Sequence, residues 1–274
     1  MKLVTYSYNQ RQRVGILDGE TVYRISFDVG MLGLVRRGVR PVHTSERYPL
    51  SDVVLHAPLQ PHSIIAVGRN YADHAKELDN EVPEKPLLFA KMPGSVIGTG
   101  MPITWRRSVT EKVDWEGELA VIIGHRAHRV AEEDALKYVF GYTIANDVTA
   151  RDLQDSESQW LRAKGLDTFC PMGPAIVLPD EIEDPQTLTI VTRVNDEEVQ
   201  NVSTSQMIHT VPALISYISQ SITLHPGDVI LTGTPAGVGK GMKPPRFLKD
   251  GDTVTVAIDG IGELHNSCRV EDED

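Results

Sequence analysis

Between Val113 and Gly124 the chain reads VDWEGELAVIIG, and this run most constrains the fold. Val113, Trp115, Leu119, Val121 and Ile123 share one parity, and Asp114, Glu116 and Glu118 share the other. Successive side chains on a strand point to opposite faces, so the pattern predicts a strand on which Glu116 and Glu118 project side by side. The same face continues with the apolar Ala120 and Ile122. Two carboxylates on a face that turns hydrophobic repel each other and lose hydration, unless a cation sits between them. A plain solvated strand face is the alternative for an isolated pair of this kind.

A third carboxylate follows on a second strand. Val139–Ala145 is predicted to be a strand ending at Asn146-Asp147, before a helix start at Thr149–Gln154. Asp147 then points into a pocket mouth or serves only as the helix N-cap. Three carboxylates are hard oxygen ligands that suit Mg²⁺, with Mn²⁺ and Ca²⁺ as further candidates and zinc disfavoured. Such a set leaves coordination positions open for chemistry.

A base is also legible. Ile64–Val67 reads as a short buried strand, followed by a short helix for which Asn70 is the expected N-cap. His74 and Glu77 are then spaced i, i+3 on one face, where the carboxylate can orient the imidazole and raise its basicity. A surface His–Glu pair is the alternative. The stretch EVPEKP at Glu81–Pro86 cannot continue a helix, which leaves the short helix free to act as a lid.

The remaining runs are mostly β-prone. Leu3–Tyr8, Val14–Leu17 and Thr21–Ile25 predict a small β-rich unit with a turn at Asp18-Gly19 and a helix over Phe27–Arg37. The prolines of Ala57–Pro61 suggest a boundary, giving an N-terminal unit over 1–58 and a main domain over 59–274. Helices are expected at Val130–Tyr138 and Ser205–Ser219, where His209 reads as a capping or core residue. A loop-like run is expected at Trp160–Phe169, and β structure over Phe247–Val270. Glu271–Asp274 reads as a solvated acidic tail.

Thr234 stands where a phosphate-binding loop needs glycine, and Gly241 follows Lys240 where it needs Ser or Thr, so Gly233–Gly241 is not such a loop. The loop can still shape a pocket through backbone amides and the Thr234 hydroxyl.

A net charge of −11 argues against nucleic-acid binding. No run approaches a membrane span, the N-terminus has no apolar leader, and the two cysteines, Cys170 and Cys268, fit a reducing compartment. The expectation is a cytoplasmic protein.

Five stretches, in order and over roughly residues 60 to 270, resemble the fumarylacetoacetate hydrolase family. They are Gly68-Arg69-Asn70-Tyr71 with His74 and Glu77; Trp115–Leu119; Asn146–Gln154; Lys164–Asp167 before Gly173-Pro174; and Thr232–Gly239. The resemblance implies a β-rich α+β fold: a mixed β-sandwich roll as C-terminal domain, a small β-rich N-terminal domain, and a homodimer. It also implies a divalent metal on Glu116, Glu118 and Asp147, with His74–Glu77 as the dyad that activates water or moves a substrate proton. Lys164 and Gln154 would hold negative charge and orient the substrate, which Arg69 and Thr234 would contact. Arg151 and Asp152 are either supports behind the metal ligands or a structural ion pair.

Some hydrolases of the family carry a fourth acid near the position of Arg69-Asn70. The basic and neutral residues here look more like the acylpyruvase, oxaloacetate decarboxylase and 2-hydroxyhepta-2,4-diene-1,7-dioate isomerase branches. The implied substrate is a small 2-oxo acid that gives an enolate. Hydrolysis of a C–C bond in a 2,4-dioxo acid is the first expectation, decarboxylation of oxaloacetate the second and isomerisation the third. A non-catalytic scaffold stabilised by metal is the contrasting class, and a mobile base beside the carboxylates argues against it.

Overall fold

The computed structural model describes residues 1–27 and 29–272. Its main sheet is mixed and runs, edge to edge, through His43–Pro49, Thr21–Ile25, Arg11–Asp18, Lys2–Tyr8, Cys170–Val177, Val139–Asn146, Gly117–Ile123, Val229–Leu231, Ile64–Gly68 and Leu87–Lys91. A second sheet of five strands runs Glu197–Ser203, Thr189–Val194, Thr253–Ile258, Gly262–Glu271 and Ile103–Arg106. The β-rich α+β expectation holds.

Gly117–Ile123 lies at the centre, and every residue in it is buried. One face, Leu119, Val121 and Ile123, joins Ile190, Val254 and Val256 of the second sheet in a single core. The other, Ala120 and Ile122, packs with Leu3 and Ile16 of the N-terminal strands and Leu34 and Val35 of the helix Met31–Arg37. Burying both faces favours the near-continuous apolar run seen after Glu118. Gly117 lets the sheets approach: a Cβ there would lie 2.3 Å from Thr192 Oγ1.

The N-terminal strands form a local meander, with Leu3 opposite Ile16 and Ile16 opposite Tyr23. Lys2–Tyr8 then continues the main sheet by pairing antiparallel with Cys170–Val177, Leu3 opposite Ile176.

Several local expectations are corrected. The alternating run at 113–124 is two strands, since Val113–Asp114 pairs with Thr149–Ala150 and the second strand starts at Gly117. Side chains replace the ladder between them: Trp115 N–H donates to Asp114 Oδ1 (2.9 Å) and Glu116 N–H to Asn146 Oδ1 (2.9 Å). Glu116 is therefore off the strand that carries Glu118.

Asn70 is not an N-cap. Tyr71 holds that position without a side-chain cap, while the Asn70 amide donates to the carbonyls of His209 (2.9 Å) and Thr232 (2.8 Å) and accepts from His209 N–H (2.8 Å). Asp147 is no cap either, because the helix Arg151–Ser156 takes Ala150 as its N-cap.

The first helix begins at Met31, after Gly30, and Asp28 of the expected span lies outside the described residues. Residues Glu132–Tyr138 form a 3₁₀ rather than an α-helix. The helix expected from Ser205 starts only at Val211, where Thr210 Oγ1 accepts from Ala213 N–H. A short helix, Leu161–Lys164, sits inside the run read as a loop. Of the acidic tail, Glu271 ends a strand, and Glu273 and Asp274 lie outside the described residues. No helix among the described residues is long and apolar enough to cross a membrane.

Candidate active site

Glu118 stands at the start of the central strand, Asp147 just past the end of its neighbour, and Glu116 in the break before Gly117. Gly117 pairs with Asn146, which brings these three ends together. Ligand oxygens of Glu116, Glu118 and Asp147 all lie within 4.8 Å of one another, and all three residues are buried.

Cations surround two of them. Lys164 Nζ donates to Glu116 Oε2 and Asp147 Oδ2, each at 2.7 Å. Lys91 Nζ, at the end of the edge strand, is 2.6 Å from Asp147 Oδ1 and fully buried. Arg151 is 2.7 Å from Glu116 Oε1 and donates through Nε to Asp114 Oδ2 (2.8 Å). Asp152 turns away to Thr110 Oγ1 (2.6 Å) and the Glu111 amide, so of Arg151 and Asp152 it is Arg151 that supports the triad.

Glu118 has only the Gly233 N–H (2.7 Å) as donor and no ion-pair partner among the described residues. Burial, then the charges of Asp147 and Glu116, push its carboxyl well above the usual range. Burial acts the same way on Glu116, but Lys164 and Arg151 outweigh it and hold that carboxyl low. The donor set therefore lacks one positive charge, at Glu118, between hard oxygen atoms. A hard divalent cation fits that deficit.

The triad opens on a cavity of about 290 Å³, lined in part by Glu116, Glu118, Lys164, Arg69, Gln154 and Thr234. His74 forms another part of this wall. Its Nδ1 lies 2.8 Å from Glu77 Oε1, and Glu77 Oε2 accepts from Gly237 N–H (2.9 Å). The dyad is thus tied to the glycine-rich loop. Gly241 lies against it, where a Cβ would stand 2.6 Å from Glu77 Oε2.

Thr234 Oγ1 donates to Gly117 C=O (3.0 Å) and accepts from Gln200 Nε2 (2.9 Å). Gln154 Oε1 accepts from Arg151, leaving its amide N–H groups for a ligand. Arg69 adopts a left-handed backbone (φ 55°) and has no ion-pair partner among the described residues. The structure brings all nine expected site residues to one place: His74, Glu77, Lys164, Arg69, Gln154, Thr234, Glu116, Glu118 and Asp147.

Two residues of the site were not singled out from sequence. Lys91 reads only as the last residue of a strand, and its burial against Asp147 is a long-range fact. Asp114 shares the parity of Glu116 and Glu118, which was the available signal. It turns from the triad and gathers Arg151 Nε, Trp115 N–H, Gly239 N–H (2.7 Å) and Lys240 N–H (3.0 Å).

Three clustered carboxylates, two of them lining a cavity that is also walled by His74 with Glu77 behind it, define a metal-competent enzyme site on a mixed β fold. The chain belongs to the fumarylacetoacetate hydrolase family: residues 63–269 match the family model described as fumarylacetoacetate (FAA) hydrolase, C-terminal, and residues 1–58 match the Rv2993c-like N-terminal model.

Oxaloacetate tautomerase YisK of Bacillus subtilis is 50% identical over 223 residues, 80% of this chain and 74% of that protein. Fumarylacetoacetate hydrolase from Exiguobacterium antarcticum superposes with a TM-score of 0.91 at 43% identity, covering 99% of this chain and 100% of the other. Maleylpyruvate hydrolase from Sphingobium sp. SYK-6, solved with manganese(II) and pyruvate, gives 0.82 at 31% identity over 99% of this chain and 100% of the other.

Proposed function

We propose that this enzyme moves a proton at the carbon beside the carbonyl of a 2-oxo acid, and that its reaction is keto–enol tautomerisation of oxaloacetate. The observation that carries this reading is His74, 2.8 Å from Glu77 and on the wall of the cavity that Glu116 and Glu118 of the carboxylate cluster also line. Glu77 accepts the Nδ1 proton, so Nε2 is the nitrogen left to take a proton from C3. The C–H pair becomes the C2=C3 bond, and the carbonyl pair moves onto the 2-oxo oxygen, which is then protonated to the enol. Lys164 provides a fixed positive charge beside that oxygen, and Arg69 and the Gln154 amide orient the carboxylate next to it. Mg²⁺ or Mn²⁺ held by Glu116, Glu118 and Asp147 would supply Lewis acidity to the 2-oxo oxygen.

Proton transfer moves ahead of the C–C hydrolysis expected first from sequence because the 50% identical relative is named for tautomerisation of oxaloacetate. Hydrolysis is the second reading, supported by the names of the two structural neighbours. It shares the proton transfer and adds attack of water at C4. We also propose that the enzyme works as a homodimer; a monomer in sedimentation velocity rejects that part.

The test follows oxaloacetate in D₂O with Mg²⁺, with Mn²⁺ and with chelator, reading enol loss, deuterium at C3 and pyruvate release together, with acetylpyruvate cleavage in parallel. Fast metal-dependent enol loss and deuteration without matching pyruvate supports tautomerisation. Acetylpyruvate cleavage outpacing it supports hydrolysis. No exchange with either compound rejects both.

A further inference from the structure

Lys240 is the residue of the glycine-rich loop that the triad, the dyad and the proton transfer leave unused. It lines the cavity together with Arg69, Arg151 and Lys164, so four cationic side chains face a space of about 290 Å³. Two of the four are consumed. Arg151 is spent on Asp114 and Glu116, and Lys164 on Glu116 and Asp147, all inside the protein. Arg69 has no ion-pair partner among the described residues.

Lys240 has one carboxylate, Asp155, which also lines the cavity. That pair is close but solvent-exposed: the Lys240 side chain is 31% and the Asp155 side chain 56% exposed. An exposed ion pair of this kind is weak and readily exchanged. The Lys240 backbone is the opposite. Its N–H and that of Gly239 are both held by buried Asp114, which through Arg151 is tied to Glu116. The ammonium is therefore carried on a base fixed relative to the triad, while its partner sits on the exposed turn of the helix Arg151–Ser156.

We propose that Lys240 selects dicarboxylates: it binds the distal carboxylate of the substrate, and Asp155 holds the ammonium until that carboxylate displaces it. This rests on the tautomerase reading above and deepens it. A 2-oxo monocarboxylate satisfies Arg69 alone of these two cations and leaves the Lys240–Asp155 pair in place. A 2-oxo dicarboxylate satisfies both. Exchange of an exposed carboxylate for one desolvated in the cavity strengthens the contact with Lys240.

The test compares oxaloacetate with 2-oxobutanoate, which has a methyl group in place of the distal carboxylate. Deuterium exchange at C3 is measured for the wild type, Lys240→Gln, Lys240→Arg and Asp155→Asn. Malate and 2-hydroxybutanoate, an unreactive pair differing in the same way, are titrated calorimetrically into the Mg²⁺-loaded proteins. Loss of one charged hydrogen bond predicts that Lys240→Gln lowers the oxaloacetate to 2-oxobutanoate ratio of kcat/KM, and the malate to 2-hydroxybutanoate affinity ratio, by about tenfold or more.

Lys240→Arg should restore most of both ratios, and Asp155→Asn should raise them. Ratios unchanged in Lys240→Gln overturn the inference, as does an equal loss on both members of each pair, which would mark a structural role. The two readings fail separately: exchange absent in every protein rejects the tautomerase reading, while the malate titration still decides the role of Lys240.

Discussion

Replacing Asp114 by Asn removes one charge and barely changes shape, so it isolates what that buried carboxylate does. The Asp114 side chain is fully buried, and its partner Arg151 is nearly so. Four donors converge on it: Arg151 Nε, and the amides of Trp115, Gly239 and Lys240. An asparagine oxygen can keep the bonds on one side. On the other it presents an N–H₂ group to Arg151 and the Lys240 amide, placing donors against donors.

Breaking a buried ion pair from one side costs about 3–5 kcal/mol. Arg151 keeps Glu116, so the lower end, about 3 kcal/mol, is the expected loss. At about 2–4 °C per kcal/mol for a chain near this size, Tm should fall by about 6–12 °C. Thermal unfolding followed by circular dichroism measures it, with Asp155→Asn as a control that removes an exposed carboxylate of similar type. The reasoning is refuted if Asp114→Asn melts no lower than that control.

Three further outcomes test the site. Stripped of divalent cations, the protein binds a proton at Glu118 that the unfolded chain releases in the ordinary carboxylate range, because burial and then Asp147 and Glu116 raise this carboxyl. Its stability should therefore fall as pH rises from that range through the raised value, and Glu118→Gln should flatten the slope in urea titrations; an unchanged slope contradicts the assignment. His74→Ala should lose about 10²–10⁴-fold in C3 proton exchange while Mn²⁺ affinity by calorimetry stays near wild type. Loss of the metal instead would make His74 part of the metal site. Gly241→Ala puts a Cβ 2.6 Å from Glu77 Oε2. It should cost about 10²-fold in exchange through displacement of the dyad, and activity equal to wild type would show that Glu77 does not need its present position.

What the sequence disclosed follows from how local each signal is. Glu118 was readable because alternation along one strand fixes a face. Asp147 was readable because a strand end is marked by the change of pattern at Asn146. His74 and Glu77 came from a single helical turn. Asn70 was misread for the same reason, since its local preference is to cap a helix, whereas its amide is used by His209 and Thr232, far along the chain. Lys91 and Asp114 are buried charges whose meaning depends on partners across the sheet. The break at Trp115–Glu116 was hidden because side-chain acceptors, Asp114 and Asn146, take over hydrogen bonds that a continuous ladder would have made.

The pairing of Lys2–Tyr8 with Cys170–Val177 has a consequence for the order in which the molecule assembles. The meander from Lys2 to Pro49 uses neighbours close in sequence, so it can form as soon as it leaves the ribosome. Its seat, the strand containing Ile176 and Val177, is synthesised more than a hundred residues later. Until then the edge at Lys2 and Leu3, which Val177 and Ile176 occupy in the finished sheet, lacks its partner strand. The interval is set by the rate of translation, and it leaves this edge open to mispairing with another nascent copy.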